Sequence, residues 1–357
     1  MDTTKSSAQV FLGATGRNGF INRFSDIYSA ADGWQVYIIK GGPGSGKSTF
    51  MKRIAEAFSN EQLVICRCSS DPESLDALIL IDRHVMIADG TAPHVLEPQF
   101  PGARERILNF FDIFDNKQLY SRRDAIIENF GENAAHHKTA AAYIKSAGEL
   151  LDDRMRTGMK ALCRERAESY ADSLCRRIFK ARELGSRNYS VYLDAVTPDG
   201  YISFSETPHA FCDTVAAFDD EYGAAADTVL KRVAANAEKV GLSAVICLHP
   251  ILPDRIRGVL LPTINYAIAI DDFLSAPHEP TRTLHAKRFY DSNVLHKNRQ
   301  ILAFEKKAAK LMIDNAVSAL RNAKISHDRL ERHYISACDF TKLEPLLKKT
   351  IAEIEKD

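Results

Sequence analysis

The chain has 357 residues, 45% apolar and 26% charged, with 47 basic against 47 acidic side chains. That composition excludes wholesale disorder, and zero net charge argues against a whole-molecule field that draws in nucleic acid or anionic membrane. No apolar run approaches the ~18 residues of a membrane span, the start lacks a signal-peptide profile, and seven cysteines in so long a chain suit a reduced compartment. A cytoplasmic protein without membrane contact is expected.

Near the start, Val10–Phe20 reads VFLGATGRNGF, a strand followed by Gly13, Gly16 and Gly19 and then a helix-like stretch from Phe20. It resembles the dinucleotide-binding turn of short-chain dehydrogenases. The spacing is G-x-x-G-x-x-G, however, and the next strand carries no ribose-binding acid, so nicotinamide nucleotide binding is disfavoured.

That next strand leads into the strongest motif. Val36–Ser48 reads VYIIKGGPGSGKS, an apolar strand, a glycine-rich turn and then the helical periodicity of Thr49–Phe58. The turn fits G-x-x-x-x-G-K-[ST], and its chemistry is anion binding. Glycines bring backbone N–H groups close to phosphate oxygens at a helix N-terminus. Gly41, Gly42, Pro43, Gly44, Ser45, Gly46, Lys47, Ser48 and Thr49 are the expected nucleotide contacts. Lys47 would reach the β- and γ-phosphates, and the Ser48 hydroxyl would ligate Mg²⁺.

A Mg²⁺-orienting acid is expected after an apolar strand. Asp89 ends HVMIAD and is the first candidate, as a catalytic and metal-binding residue; Asp71, past the Leu63–Cys66 run, is the second. Cys66-x-Cys68 has no second pair at zinc spacing and reads as core, and His94 reads as structural.

The second half repeats the first. VFLGATGRNGFI (Val10–Ile21) matches VYLDAVTPDGYI (Val191–Ile202) at offset 181, as Cys66 matches Cys247 and Pro72 matches Pro253; Ser48–Ala57 matches Asp227–Asn236 at offset 179. Gly46, Lys47 and Ser48 then fall on Ala225, Ala226 and Asp227, so the second copy is expected to keep the fold and lose the chemistry. Asp89 falls on Ile270.

Two segments poor in Gly and Pro read as amphipathic helical arms. The first carries Ala147, Leu151, Met155 and Leu174; the second carries Ile301, Phe304, Ala308, Leu311, Ala316 and Leu320, then Leu343, Leu346, Ile351 and Ile354. The first is rich in arginine, but interleaved acids favour a solvated face, and nucleic acid is not an expected partner. A protein partner bound through the arms is compatible with this pattern.

The motif identifies the chain as a member of the P-loop NTPase superfamily. GGPGSGKST with CSSDPESLD and ADGTAPH resembles bacterial ATPases with two tandem P-loop halves, in which both halves can carry the loop; here the second departs. The resemblance implies an α/β fold with mainly parallel sheets, duplicated as two pseudo-symmetric halves. The units expected are residues 1–100 (P-loop unit), 101–185 (helical arm), 186–275 (degenerate unit) and 276–357 (C-terminal arm). It implies a Mg²⁺-dependent ATPase with ATP at one site in the N-terminal half. Arg255 or Arg257 of the degenerate half would reach the phosphates. Two alternatives are a small-molecule or nucleotide kinase, with Arg104, Arg106 and Asp71 toward an acceptor, and a nucleotide-binding switch with little turnover.

Overall fold

The computed structural model describes residues 7–28, 33–92, 94–179, 188–275 and 277–356. Among them are two six-stranded mixed sheets. The first runs, in spatial order, Ala8–Phe11, Leu63–Arg67, Leu75–Leu80, Val85–Asp89, Gln35–Lys40 and Glu105–Asn109. The second runs Asn188–Val191, Ala244–Leu248, Ile256–Leu261, Tyr266–Asp271, Thr214–Asp219 and Arg282–His285. Strand order is the same in both, and so is direction, since only the third strand of each runs antiparallel to its neighbours.

Small irregularities repeat too. Each second strand shifts register near its C-terminal end, at Cys66/Arg67 and at Cys247/Leu248. The turns into the fourth strands each hold one left-handed residue, His84 (φ 53°) and Asn265 (φ 57°). After the strand Ala8–Phe11 the glycines form a hairpin, Gly13–Gly16 with Gly19–Asn22, and the helix expected from Phe20 is confined to Phe24–Ile27. Gly19 at φ 99° sets that tight turn, which a helical register cannot contain. The second copy has the same hairpin, Asp194–Thr197 with Gly200–Ser203.

The apolar runs are continuous because each sheet is buried on both faces. Along Gln35–Lys40, Val36 and Ile38 face the other sheet, in a core shared with Val191, Val215, Val245 and Leu260. Tyr37 and Ile39 face outward against Phe50, Met51 and Ile54 of the helix Lys47–Ala57. Backbone bonds join the halves directly, Phe11 N to Tyr192 O at 2.8 Å and Tyr192 N to Phe11 O at 2.9 Å.

The arms are two long helices, Arg123–Ala161 and Arg299–Ile335, packed antiparallel through Ala140, Ile144 and Ala147 on Ala309, Ile313 and Ala316. The apolar face expected on the second arm holds at Ala316 and Leu320, which are buried, but not in its first turns. There Ile301, Phe304 and Leu311 are exposed, while Leu302, Glu305, Ala309 and Ile313 are buried, so the packed stripe is rotated. Arg154, expected on a solvated face, is buried and donates to the carbonyls of Glu221 and Leu302.

Each arm ends in a helix that packs on the opposite half. Arg164–Ile178 sets Ala167, Ala171 and Leu174 against Val229 and Val233 of the helix Ala224–Lys239 in the second unit. Leu343–Lys356 sets Leu347 and Ile354 against Phe50, Met51 and Ile54 in the first. The crossings are held by matched backbone bonds: Asp115 N to Ala337 O and Asp291 N to Ala161 O, both 2.8 Å.

The sheets also extend past the boundaries expected at residues 100 and 275, because Glu105–Asn109 and Arg282–His285 pair parallel to the strands Gln35–Lys40 and Thr214–Asp219. The boundary expected at residue 185 lies outside the described residues. No described helix is long and apolar enough to cross a membrane.

Leu347→Ala is expected to destabilise the protein by roughly 2–5 kcal/mol through cavity formation beneath the terminal helix. A fall in the denaturant midpoint without a change in slope checks it.

Candidate functional site

The glycine-rich loop leaves the strand Gln35–Lys40 at the edge where parallel strands end. Gly44 (φ 62°) and Gly46 (φ 86°) both adopt left-handed backbone, which side-chain-bearing residues rarely take. The helix then begins at Lys47. Ser45 is buried and braces the turn, its hydroxyl donating to Gly42 O at 2.8 Å. Lys47 is folded across the loop and donates to Gly42 O at 2.8 Å and Gly41 O at 3.3 Å.

Asp89 meets Lys47, with Oδ2 3.5 Å from Nζ. Its strand lies parallel to the loop's own strand, pairing Asp89 with Ile39, which is why strand and loop ends coincide. Oδ1 accepts from Thr91 N at 2.8 Å, and the Thr91 hydroxyl donates to Gly41 O at 2.9 Å. Ser48 Oγ, beside Lys47, accepts from Leu75 N at 3.1 Å. Thr49 is exposed on the first helical turn.

Asp71 goes elsewhere. It accepts from Ser74 Oγ at 2.7 Å and pairs with Lys324 of the second arm at 3.1 Å. Burial raises its pKa, but Ser74 and Lys324 outweigh that and hold it below the usual carboxylate range.

The second arm covers the loop. Glu331 Oε1 accepts from Gly44 N at 3.0 Å, placing a carboxylate where the loop would hold an anion. His327, 3.5 Å from Glu331, lowers that carboxyl's pKa against the effect of burial, and Gly44 N–H adds to it. Tyr334, Ile335, Phe340 and Leu343 stand over Gly42, Gly44 and Gly46.

The corresponding loop of the second half is filled from within. Asp220, the counterpart of Gly41, is buried and accepts from Ala226 N at 2.8 Å and Tyr222 N at 3.1 Å. Tyr290 also donates its hydroxyl to Asp220 at 2.8 Å. Burial raises the pKa of Asp220, and these N–H and O–H donors oppose the rise. Gly223 (φ 75°) matches Gly44, but Ala225 replaces the second left-handed glycine, and the helix begins at Ala224, the counterpart of Ser45. Asp227 keeps the Ser48 contact, accepting from Ile256 N at 3.3 Å, and is neutralised by Lys231 (2.9 Å) and Arg255 (3.1 Å).

Arginines expected at phosphates are engaged elsewhere. Arg255 pairs with Asp152 and Asp227, and Arg257 with Asp194 and Asp272, all within the second site. Arg104 donates to Glu105 at 2.6 Å, and Arg106 to Glu353 at 2.7 Å, away from the loop.

Sequence reasoning passed over Asp76. It is the second residue of the strand Leu75–Leu80, which runs antiparallel to Val85–Asp89; with Ala77 opposite Ala88, Asp76 falls opposite Asp89. Asp76 is 3% exposed, and burial raises its pKa against the opposing pull of His94. An acid near the start of a strand falls outside the pattern of an apolar run that ends in an acid.

Comparison with protein-family models, curated proteins and solved structures gives no match for this chain.

His249, the counterpart of Cys68, is buried with Nδ1 accepting from Ile251 N (3.1 Å) and Leu252 N (3.2 Å). Burial, with Arg257 and Arg255 adding to it, pushes its pKa down to about 3. The unfolded ring takes its proton near the ordinary value of ~6.5 while the folded ring stays neutral. Stability from the neutral ring is therefore complete above pH ~6.5 and is lost as pH falls toward 3, by up to about 1.4 kcal/mol per pH unit. Unfolding free energy measured at pH 7 and pH 4.5 should fall more in the native chain than in His249→Asn; equal falls would contradict this assignment.

Proposed function

We propose that the protein is an ATP-binding, Mg²⁺-dependent ATPase with one competent nucleotide site, in its N-terminal half. The observation that carries this reading is the contrast between two topologically equivalent loops. One has two left-handed glycines, Lys47 and a facing Asp89 3.5 Å away; the other is closed by its own Asp220 carboxylate. The shared strand order supports descent of the halves from one duplicated P-loop unit.

The oxygen donors Ser48 and Asp89 suit Mg²⁺, and these two residues would hold it. When bound, the ion would neutralise charge on the β- and γ-phosphate oxygens. Lys47 would turn from the carbonyls of Gly41 and Gly42 to the phosphates. The N–H of Gly44 would exchange Glu331 for a phosphate oxygen, coupling nucleotide binding to the second arm. Tyr334 and Phe340 would help exclude water over the loop. The absence of an Asn-Lys-x-Asp guanine motif favours ATP over GTP.

Lys47→Ala should weaken ATP binding by roughly 10- to 150-fold, the loss of a charged hydrogen bond. Asp227→Ala should leave it within about twofold, a difference under ~0.5 kcal/mol. Titration calorimetry with ATP and Mg²⁺ reads both, and equal losses would overturn the one-site reading. Phosphate release without an added acceptor separates an ATPase from an obligatory kinase. Glu331→Gln should bind ATP several-fold more tightly, because a neutral amide competes less for Gly44 N–H than a carboxylate.

A further inference from the structure

We propose that Cys68, Asp76 and His94 form a binding site for a transition-metal ion, with zinc the best chemical match. Their ligand atoms lie within 4.8 Å of one another. Three separate elements supply them. Cys68 follows the strand Leu63–Arg67, Asp76 is second in Leu75–Leu80, and His94 lies in the loop after Val85–Asp89. The antiparallel third strand brings its beginning, with Asp76 second in it, to the edge where its neighbours end, so the three converge.

The site is short of positive charge. Asp76 is 3% exposed, and its Oδ2 has no hydrogen-bond partner. The nearest group with which it forms an ion pair is His94 Nε2, at 3.4 Å. His94 is 7% exposed, and its Nδ1 is also without a partner. The rings of Phe20 and Phe24 pack 5.2 and 5.3 Å from the imidazole. A buried carboxylate whose adjoining groups are the His94 imidazole and the Cys68 thiol is expensive unless a cation completes it. Burial and the neighbouring Asp76 carboxylate raise the pKa of the Cys68 thiol, against the N–H groups of Ser70 and Asp71, so a bound metal ion would have to displace its proton.

The second half holds a cation at the equivalent place. At offset 181, Asp76 corresponds to Arg257, whose fully buried guanidinium pairs with Asp194 at 2.8 Å and Asp272 at 2.5 Å. Cys68 corresponds to His249, which stays neutral there. One copy thus carries its positive charge covalently. In the other, three ligands surround a position that calls for one. Thiolate and carboxylate together match the charge of a divalent ion, so a bound zinc would leave the site neutral.

The donor set selects the metal. Sulfur and imidazole suit zinc and its neighbours in the transition series and do not suit Mg²⁺ or Ca²⁺. Three protein ligands leave one tetrahedral position for water or another oxygen ligand. The inference concerns these three residues alone and does not depend on the nucleotide reading.

The test uses the full chain, stripped of metal by chelator and titrated with Co²⁺ and then Zn²⁺. One equivalent of cobalt should bind with a thiolate charge-transfer absorbance that zinc displaces. Cys68→Ser should abolish the band, and His94→Ala should weaken cobalt binding at least tenfold. Lys47→Ala should bind cobalt as the native chain does, which separates this site from the nucleotide site. A measurement on the unaltered protein guards against misfolded variants: zinc should slow alkylation of Cys68, read at the peptide level by mass spectrometry. Cobalt bound without a thiolate band, zinc bound equally by Cys68→Ser, or Cys68 alkylation indifferent to zinc would each overturn the proposal.

Discussion

Burial of both sheets on both faces is the constraint from which the rest of the architecture follows. Strands as apolar as VYII and LIL cannot leave either side in water. The inner faces cover one another through Val36, Ile38, Val215 and Val245. Each outer face needs more than its own helix supplies, and the missing cover arrives at the end of the other copy's arm. Leu347 and Ile354 complete the first half, and Ala171 and Leu174 complete the second. Two units that each lend a helix cannot move as independent domains.

Within that symmetric frame the two loops have taken opposite electrostatic solutions. Both present backbone N–H groups toward a negative charge, and in both a carboxylate answers. Asp220 is tied to its own loop by neighbouring N–H groups and by Tyr290, a partner with no way to leave. Glu331 reaches its loop from a separate helix through one N–H, a contact that can be exchanged. The difference between a closed loop and an exchangeable one comes down to whether the anion belongs to the loop or to the arm.

Much of this was legible in the sequence because the informative residues are consecutive. The loop, its strand and its helix occupy one short stretch, and the repeat could be read from turns that tolerate few residues. The fit of Asp89 to Lys47 follows from parallel neighbouring strands, a pattern that an apolar run ending in an acid announces. Asp76 was hidden because its strand runs the other way, so the relevant end is the beginning. Along the second arm Ala316 and Leu320 keep the expected face, but near its start Glu305 is buried while Phe304 is exposed, a reversal set by what the helix packs against. The exchange of terminal helices had no sequence signal, since an amphipathic stripe says that a helix must be covered but does not say by which half.

That exchange bears on how the chain reaches its folded state. The contacts that close the first core, Met51 with Leu347 and Ile354, join residues separated by most of the chain. Loop closure over such distances is slow, and a unit made early in synthesis waits with an apolar face uncovered. The helix Arg164–Ile178 emerges much sooner, but its small residues Ala167 and Ala171 suit the second half, whereas Leu347 and Ile354 fill the first. The first half's core is therefore closed only by residues made after the whole second sheet.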